Sequence, residues 1–261
     1  MSTTTKAAVV TGGAQGLGRA ICLALAARGW RVAVADRDAA GAEAASKACI
    51  EAGAPEAPVL VVDLATPDGP AMMVDAAIEQ LGAVDGVVNN AGYATIEPFL
   101  EMTVDGWTRT LDVNVRAVAM ICSRAGRHMA ERGTGRIVNI TSPASRMALP
   151  DYLAYSAGKA AVDSITRAAA IALAPRGVRV NSVAPGMMDT ALQAYTERLM
   201  AVNAGRENDM ERFLAERTAR IPVGHRTTPE EVASAVVWLL ADAPDHIVAE
   251  RLNISGGLDK D

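Results

Sequence analysis

Short runs of β-branched and alanine residues, apolar at nearly every position, alternate along this chain with longer alanine-rich stretches whose apolar residues recur at helical spacing. The strand-like runs are Ala7–Val10, Arg31–Ala35, Val59–Val62, Val84–Val88, Arg136–Ile140, Val178–Ser182 and Arg251–Ile254. The helical stretches are 16–28, 38–53, 68–81, 104–131, 152–174 and 229–241. A strand that is apolar on both faces must be covered on both, which calls for a parallel sheet between two helical layers. Right-handed crossovers then predict a doubly wound α/β sheet of about seven strands. No linker or repeat divides the chain, so one domain is expected over 1–261. Residues 186–228 break the rhythm. They hold no clear strand, and five acidic and five basic residues fall between Ala191 and Arg220. The expectation there is one or two amphipathic helices, forming a lid inserted over 187–225.

Composition removes whole classes of function. Half of the 261 residues are hydrophobic, and 25 Lys and Arg against 30 Asp and Glu leave a net charge of only −5, which argues against disorder. With no basic run and 3% aromatic residues, no nucleic-acid partner is expected. Cys22, Cys49 and Cys122 are too scattered for a disulfide framework and match no zinc pattern, and His128, His225 and His246 lack ligand spacing, so no metal is expected. Buried cysteine acting as a small hydrophobe is the plainer reading. Met1–Thr5 leads toward the first strand without a signal-peptide pattern, and no apolar stretch reaches the roughly 18 residues of a membrane span. A cytoplasmic protein acting on a small molecule, with no membrane partner, is the expectation.

The first strand runs into Thr11-Gly12-Gly13-Ala14-Gln15-Gly16-Leu17-Gly18 where strand becomes helix. Gly12 permits a tight turn, Gly16 lets backbone approach a pyrophosphate, and Gly18 lets the helix pack close to the sheet. The helix N-terminus offers free N–H groups and the positive end of its dipole to phosphates. The spacing is GxxxGxG rather than GxGxxG, and an ordinary strand-to-helix turn is the competing reading. Asp36, 18 residues after Gly18 at the end of the second strand, favours the dinucleotide. A carboxylate there accepts from both ribose hydroxyls and repels a 2′-phosphate, so NAD is preferred to NADP. Arg37 argues the other way, and a plain N-cap is the alternative role for Asp36.

Tyr155 and Lys159 lie four apart in a helical stretch and so share a face, an arrangement that is also common in inert surface pairs. Ser142 directly follows the fifth strand, at the carboxyl end where such sheets bind ligands. Together with the glycine loop, Asn89-Asn90-Ala91-Gly92 after the fourth strand, Asn114 in the long helix and Pro185-Gly186 after the sixth strand, these residues make the chain resemble the short-chain dehydrogenases/reductases, NAD(P)-binding enzymes of Rossmann fold. The resemblance covers nearly the whole chain and is weakest over 190–225.

The resemblance implies that Tyr155 is the general acid/base, that Lys159 lowers its pKa and binds the nicotinamide ribose, that Ser142 holds the substrate oxygen, and that Asn114 supports a proton-relaying water. It places Gly12, Gln15, Gly16, Leu17, Gly18, Asp36, Asp63, Leu64, Asn90, Ala91, Gly92, Pro185, Gly186 and Met188 along the cofactor, with Asp63 near the adenine and Met188 near the nicotinamide amide. A phenol with a pKa near 10 is a poor base at neutral pH. A cation ~4 Å away is worth up to ~4 kcal/mol at an effective dielectric of 20, so Lys159 and the positive nicotinamide ring together are expected to bring Tyr155 toward neutrality. Three departures from the family pattern stand out: Pro143 after Ser142, Gly158 before Lys159, and Ser255 before Gly256-Gly257.

The substrate is less constrained. A charged lid and an NAD preference lean toward oxidation of a small polar secondary alcohol: a polyol, sugar or hydroxy acid. Arg146 is a candidate carboxylate anchor with an ordinary surface role as the alternative, and Tyr93 and Tyr152 are candidate pocket walls. The competing functions are a 3-oxoacyl-thioester reductase and a catalytically inactive NAD-binding scaffold. Apolar faces on 104–131 and 152–174 (Ala161, Ile165, Ala168, Ala169 and Ala172) suggest a homo-oligomer, a dimer or tetramer as in the family, unless they are ordinary core.

Overall fold

The computed structural model describes residues 5–259; Met1–Thr4, expected to lead into the first strand, and the last two residues lie outside that range. Seven parallel strands form one sheet: β1 (Ala7–Thr11), β2 (Arg31–Asp36), β3 (Val59–Val61), β4 (Gly86–Asn89), β5 (Gly135–Ile140), β6 (Val178–Pro185) and β7 (Arg251–Ile254). Their order is β3-β2-β1-β4-β5-β6-β7, so the winding reverses between β1 and β4. The expected single doubly wound domain is the one observed.

Every β1 residue is buried, and the strand's period of two divides it between two cores. Ala8 and Val10 face the layer of α1 (Gly16–Ala26), α2 (Ala39–Glu51) and α9 (Pro229–Ala241), packing with Ile21, Leu25 and Leu240. Ala7 and Val9 face the opposite core, where α3 (Gly69–Leu81) supplies Met73 and Leu81 and the helices after β4 supply Ile121 and Met129. Cys22, Cys49 and Cys122 are free and buried, as small apolar fillers would be. Among the described residues no group of His, Cys, Asp or Glu could hold a metal, and no helix is long and apolar enough to cross a membrane.

The sequence pattern predicts one helix over 104–131. The chain instead forms α4 (Val104–Leu111), a π-helical turn (Asp112–Arg116) and α5 (Ala117–Arg132). The apolar spacing runs on through the turn, so periodicity does not reveal it. What marks the turn is Asn114, whose amide oxygen accepts from Tyr93 N at 2.9 Å and whose amide nitrogen donates to Tyr93 O at 2.7 Å. The turn thereby ties the helix to the loop leaving β4. π-turns of this kind concentrate at functional sites.

Next come α6 (Leu153–Leu173) and, after β6, α7 (Ala191–Asn203) and α8 (Met210–Thr218), the two amphipathic helices expected in the charged segment. Thr190 caps α7 by accepting from Gln193 N, and Thr228 with Glu231 forms a capping box at α9. Glu197 of α7 is 2% exposed yet ionically satisfied. Arg226 grips both its oxygens at 2.9 and 3.1 Å and Arg217 of α8 donates to Oε1 at 3.1 Å, pinning the segment to the body.

Gly158 lies inside α6, where a Cβ would meet Asn114 Cβ at 3.4 Å, an ordinary contact. Space therefore does not require glycine. Gly158→Ala is expected to stabilise the protein by ~0.5–1 kcal/mol through helix propensity, read from denaturant midpoints. Destabilisation by that amount would show that the packing of α6 on the π-turn is tighter than described.

Candidate active site

The carboxyl ends of β1 and β4, where the strand order reverses, open onto a cleft of about 390 Å³. Every residue expected along the cofactor borders it, from the glycine loop through Asp36, Asp63 and Asn90 to Met188.

Gly12 and Gly16 have positive φ, 66° and 53°. A Cβ on Gly18 would stand 1.9 Å from Gly12 O, so only glycine lets α1 approach this loop. At Gly16 a Cβ would find nothing nearer than the Thr190 methyl at 3.6 Å, which leaves the backbone open toward the cleft. Gln15, the N-cap of α1, makes no side-chain capping bond. The first-turn amides therefore have no side-chain acceptor at the cap, and the cradle suits a phosphate.

The loop is braced from both neighbouring strands. Thr11 Oγ1 donates to Val88 O at 3.2 Å and accepts from Asn90 N and Ala91 N, both at 3.0 Å. Asn90 Nδ2 returns bonds to Thr11 O and Gly12 O at 2.9 and 3.2 Å. Thr11 braces this loop, a part that glycine spacing alone does not single out. Asp36 is not the N-cap of α2; Asp38 is. Asp36 accepts from Ala14 N and Asp38 N, both at 3.1 Å, so its carboxylate is held at the cleft edge beside the glycine loop. Arg37 borders the same region.

Ser142, Tyr155 and Lys159 converge on the other side. Ser142 leaves β5 in an extended conformation (φ −166°, ψ 152°), which the following Pro143 favours, and its Oγ accepts from Ala144 N at 3.2 Å. The Ser142 hydroxyl also bonds the Tyr155 phenol. The Tyr155 ring stacks on Tyr152 with centroids 4.5 Å apart. Lys159, 4% exposed, donates from Nζ to Ile140 O at 2.7 Å, and Thr141 Oγ1 donates to Lys159 O.

Asn114 is the exception. It is fully buried, both ends of its amide are bonded to Tyr93, and it does not border the cleft. Arg146 is exposed and also stands away from the cleft border, whereas Tyr93 and Tyr152 form walls as expected. Thr190 borders the cleft opposite Gly16; its sequence signal is that of a helix N-cap, and its place over the loop depends on how the segment folds back. Gly186 is required by close approach, since a Cβ there would lie 2.9 Å from Ser255 Cα.

Electrostatically the site differs from the simplest expectation. Burial pushes the Tyr155 phenol up to about 12, with the Ser142 hydroxyl pulling the other way. Burial also pushes Lys159 down to about 8, partly offset by the Asp163 carboxylate. The protein by itself thus does not draw Tyr155 toward neutrality. Lys159 is turned to the Ile140 carbonyl, with Nζ 5.5 Å from the phenol ring centre. A lysine whose folded pKa is depressed weakens the fold while it stays charged. That penalty is present below about 8 and lifts as pH rises toward the ordinary 10.5. Wild type is therefore expected to gain stability relative to Lys159→Met between pH 8 and 10.5, measured by denaturant midpoints. Parallel curves would contradict a buried lysine of this character.

The family model described as enoyl-(acyl carrier protein) reductase matches residues 12–259. The chain is 37% identical over 253 residues to cis-4-hydroxycyclohexanecarboxylate dehydrogenase of Sinomonas cyclohexanicum, covering 97% of this chain and 96% of that protein. The actinorhodin polyketide ketoreductase structure with NADPH superposes with a TM-score of 0.93 at 33% identity, covering all of both chains. NAD⁺-bound xylitol dehydrogenase superposes with a TM-score of 0.90 at 28% identity, covering 98% of this chain and all of that one. These matches span nearly the whole chain: it belongs to the short-chain dehydrogenase/reductase family, NAD(P)-dependent oxidoreductases acting on CH–OH groups.

Proposed function

We propose that this protein is an NAD-dependent dehydrogenase interconverting a secondary alcohol and a ketone on a small polar substrate. The convergence of the Ser142 hydroxyl, the Tyr155 phenol and the Lys159 ammonium at the end of the glycine-cradled cleft carries the reading. Asp36 supports NAD, since a carboxylate fixed at the cleft edge suits ribose hydroxyls and repels a 2′-phosphate. Bound there, the nicotinamide supplies the hydride acceptor.

The chain's own residues would then act as follows. Ser142 holds the carbinol oxygen. Tyr155 takes the carbinol proton as tyrosinate in the oxidative direction and returns it in the reductive one. Lys159, anchored to Ile140 O, presents its charge to the phenol and the ribose. The penalty that keeps Tyr155 protonated in the free protein is relieved only when further positive charge enters the cleft, so proton transfer awaits an assembled complex. Asn114 serves as a positioning residue, fixing the Tyr93 wall. The segment over 187–225 acts as a lid, with Met188 and Thr190 facing the cofactor side.

A 3-oxoacyl-thioester reductase is the second reading, supported by 34% identity over 256 residues to the 3-oxoacyl-[acyl-carrier-protein] reductase of Synechocystis sp.. An inactive scaffold is disfavoured by the intact catalytic cluster. Exposed or half-exposed apolar residues on α5 and α6, among them Met120, Ala168, Ile171 and Ala172, support a homo-oligomer. The absence of any membrane-crossing helix among the described residues is compatible with a cytoplasmic enzyme.

Initial rates of nicotinamide reduction over a panel of alcohols, with NAD⁺ and NADP⁺ in parallel, test the proposal. Faster turnover with NAD⁺ is expected, and Asp36→Ser is expected to shift the preference toward NADP⁺. Tyr155→Phe is expected to lower kcat by 10²–10⁴-fold while the cofactor still binds. Full turnover by Tyr155→Phe would refute the mechanism, and an NADP⁺ preference in wild type would refute the role of Asp36.

A further inference from the structure

Beyond Ser142 and Tyr155 the cleft carries cations and no carboxylate. Its walls there include Tyr152, Leu192 and Met200, and its border includes Arg109, Arg217 and Arg220. The only carboxylates bordering the cleft among the described residues, Asp36 and Asp63, lie by the glycine loop and the end of β3.

The three arginines are not equivalent. Arg109 lies over the Tyr93 ring, 4.9 Å from its centre. Arg217 is held from behind: Nε donates to buried Glu197 at 3.1 Å and Nη2 lies 3.7 Å from Met187 Sδ. Glu197 is already gripped twice by Arg226. One buried carboxylate is therefore shared by two guanidinium groups, the second anion of the cluster being Asp189 on Arg226. Asp189, the other partner of Arg226, is 82% exposed and screened by water. Arg220 makes no ion pair or side-chain hydrogen bond among the described residues, although it borders the cleft. A cation held from behind at the cleft wall, with the exposed Arg220 on the same border, suits a bidentate anion.

Position narrows the anion. Arg217 and Tyr152 border the same cleft, and Tyr152 stacks directly on Tyr155. The cation thus shares the cleft border with the ring that stacks on the Tyr155 phenol. A thioester's phosphates would be separated from the reacting carbon by a whole pantetheine arm, whereas a carboxylate a few carbons from the carbinol spans this gap.

We infer that the enzyme selects hydroxy acids, in which a short apolar body separates a carboxylate from the secondary alcohol, and that Arg217 and Arg220 read the carboxylate while Glu197 fixes Arg217 in place. The inference rests on the dehydrogenase reading above and specifies its substrate.

The test compares cis-4-hydroxycyclohexanecarboxylate with its neutral carboxamide, using the holoenzyme with NAD⁺. The carboxylate is expected to have a kcat/KM roughly tenfold to a hundredfold higher, mainly through KM. Arg217→Gln and Arg220→Gln are each expected to collapse that ratio several-fold toward one. A purely structural defect would slow both compounds and leave the ratio intact, and that result would overturn the assignment. So would equal use of the two compounds by wild type, a preference for uncharged polyols, or, with NADH supplied, faster reduction of a 3-oxoacyl-coenzyme A thioester. If no alcohol and no thioester is turned over at all, the dehydrogenase reading itself fails, and this inference with it.

Discussion

The ammonium of Lys159 reaches across from α6 to the carbonyl of Ile140, at the carboxyl end of β5, at 2.7 Å and out of water. Burying an ammonium is expensive, and a single carbonyl with an indirect carboxylate offsets only part of that cost. The depressed pKa of the lysine records the remainder. This bond nonetheless sets the orientation of the first turns of α6 relative to the sheet. Tyr155, four residues earlier on the same face, is thereby brought to Ser142 at the end of the same strand. This contact, together with Thr141 to Lys159 O and Asn139 to Thr166, joins the strand to the helix that carries Tyr155.

The rest of the site follows from where the sheet reverses. At the β1–β4 boundary the two exit loops diverge, and Thr11 and Asn90 lace them together before either reaches the cleft. A buried polar line runs deeper through the same region. Asn89 donates to Asn139 at 2.8 Å, and Asn139 donates to Thr166 of α6 at 2.9 Å. Buried polar groups are costly unless paired, and these bonds pair both ends of the Asn139 amide across β4, β5 and α6, leaving only Asn89 Oδ1 of the line without a hydrogen bond. The glycine loop and α6 are therefore tied into one frame, whereas Leu192, Met200 and Arg217 on the cleft border come from the segment after β6.

Much of this is legible in the residues. The two-sided apolar strands require a covered parallel sheet, and the predicted bounds of α9 and β7 match the structure. Glycine spacing marks the cradle because backbone geometry there admits nothing larger, as Gly18 against Gly12 O shows. Other features leave no local trace. The π-turn preserves the apolar spacing, so Asn114 reads as a helical residue near a site rather than a strut bonded to Tyr93. Arg217 looks like one charge among ten on a solvated helix until Glu197 is seen to be buried behind it. The direction of the Tyr155 shift is invisible as well, because desolvation depends on how the folded chain encloses the phenol.

The central claim is that enclosure holds the proton on Tyr155 until positive charge enters the cleft. Ultraviolet difference titration of wild type against Tyr155→Phe, with and without NAD⁺, addresses it directly. Without NAD⁺ the Tyr155 phenol should stay protonated through the range where ordinary tyrosines ionise, near 10, and approach about 12. With NAD⁺ its ionisation should move down by more than one pH unit. Ordinary ionisation near 10 in the free protein, or the same titration in both states, would contradict the account.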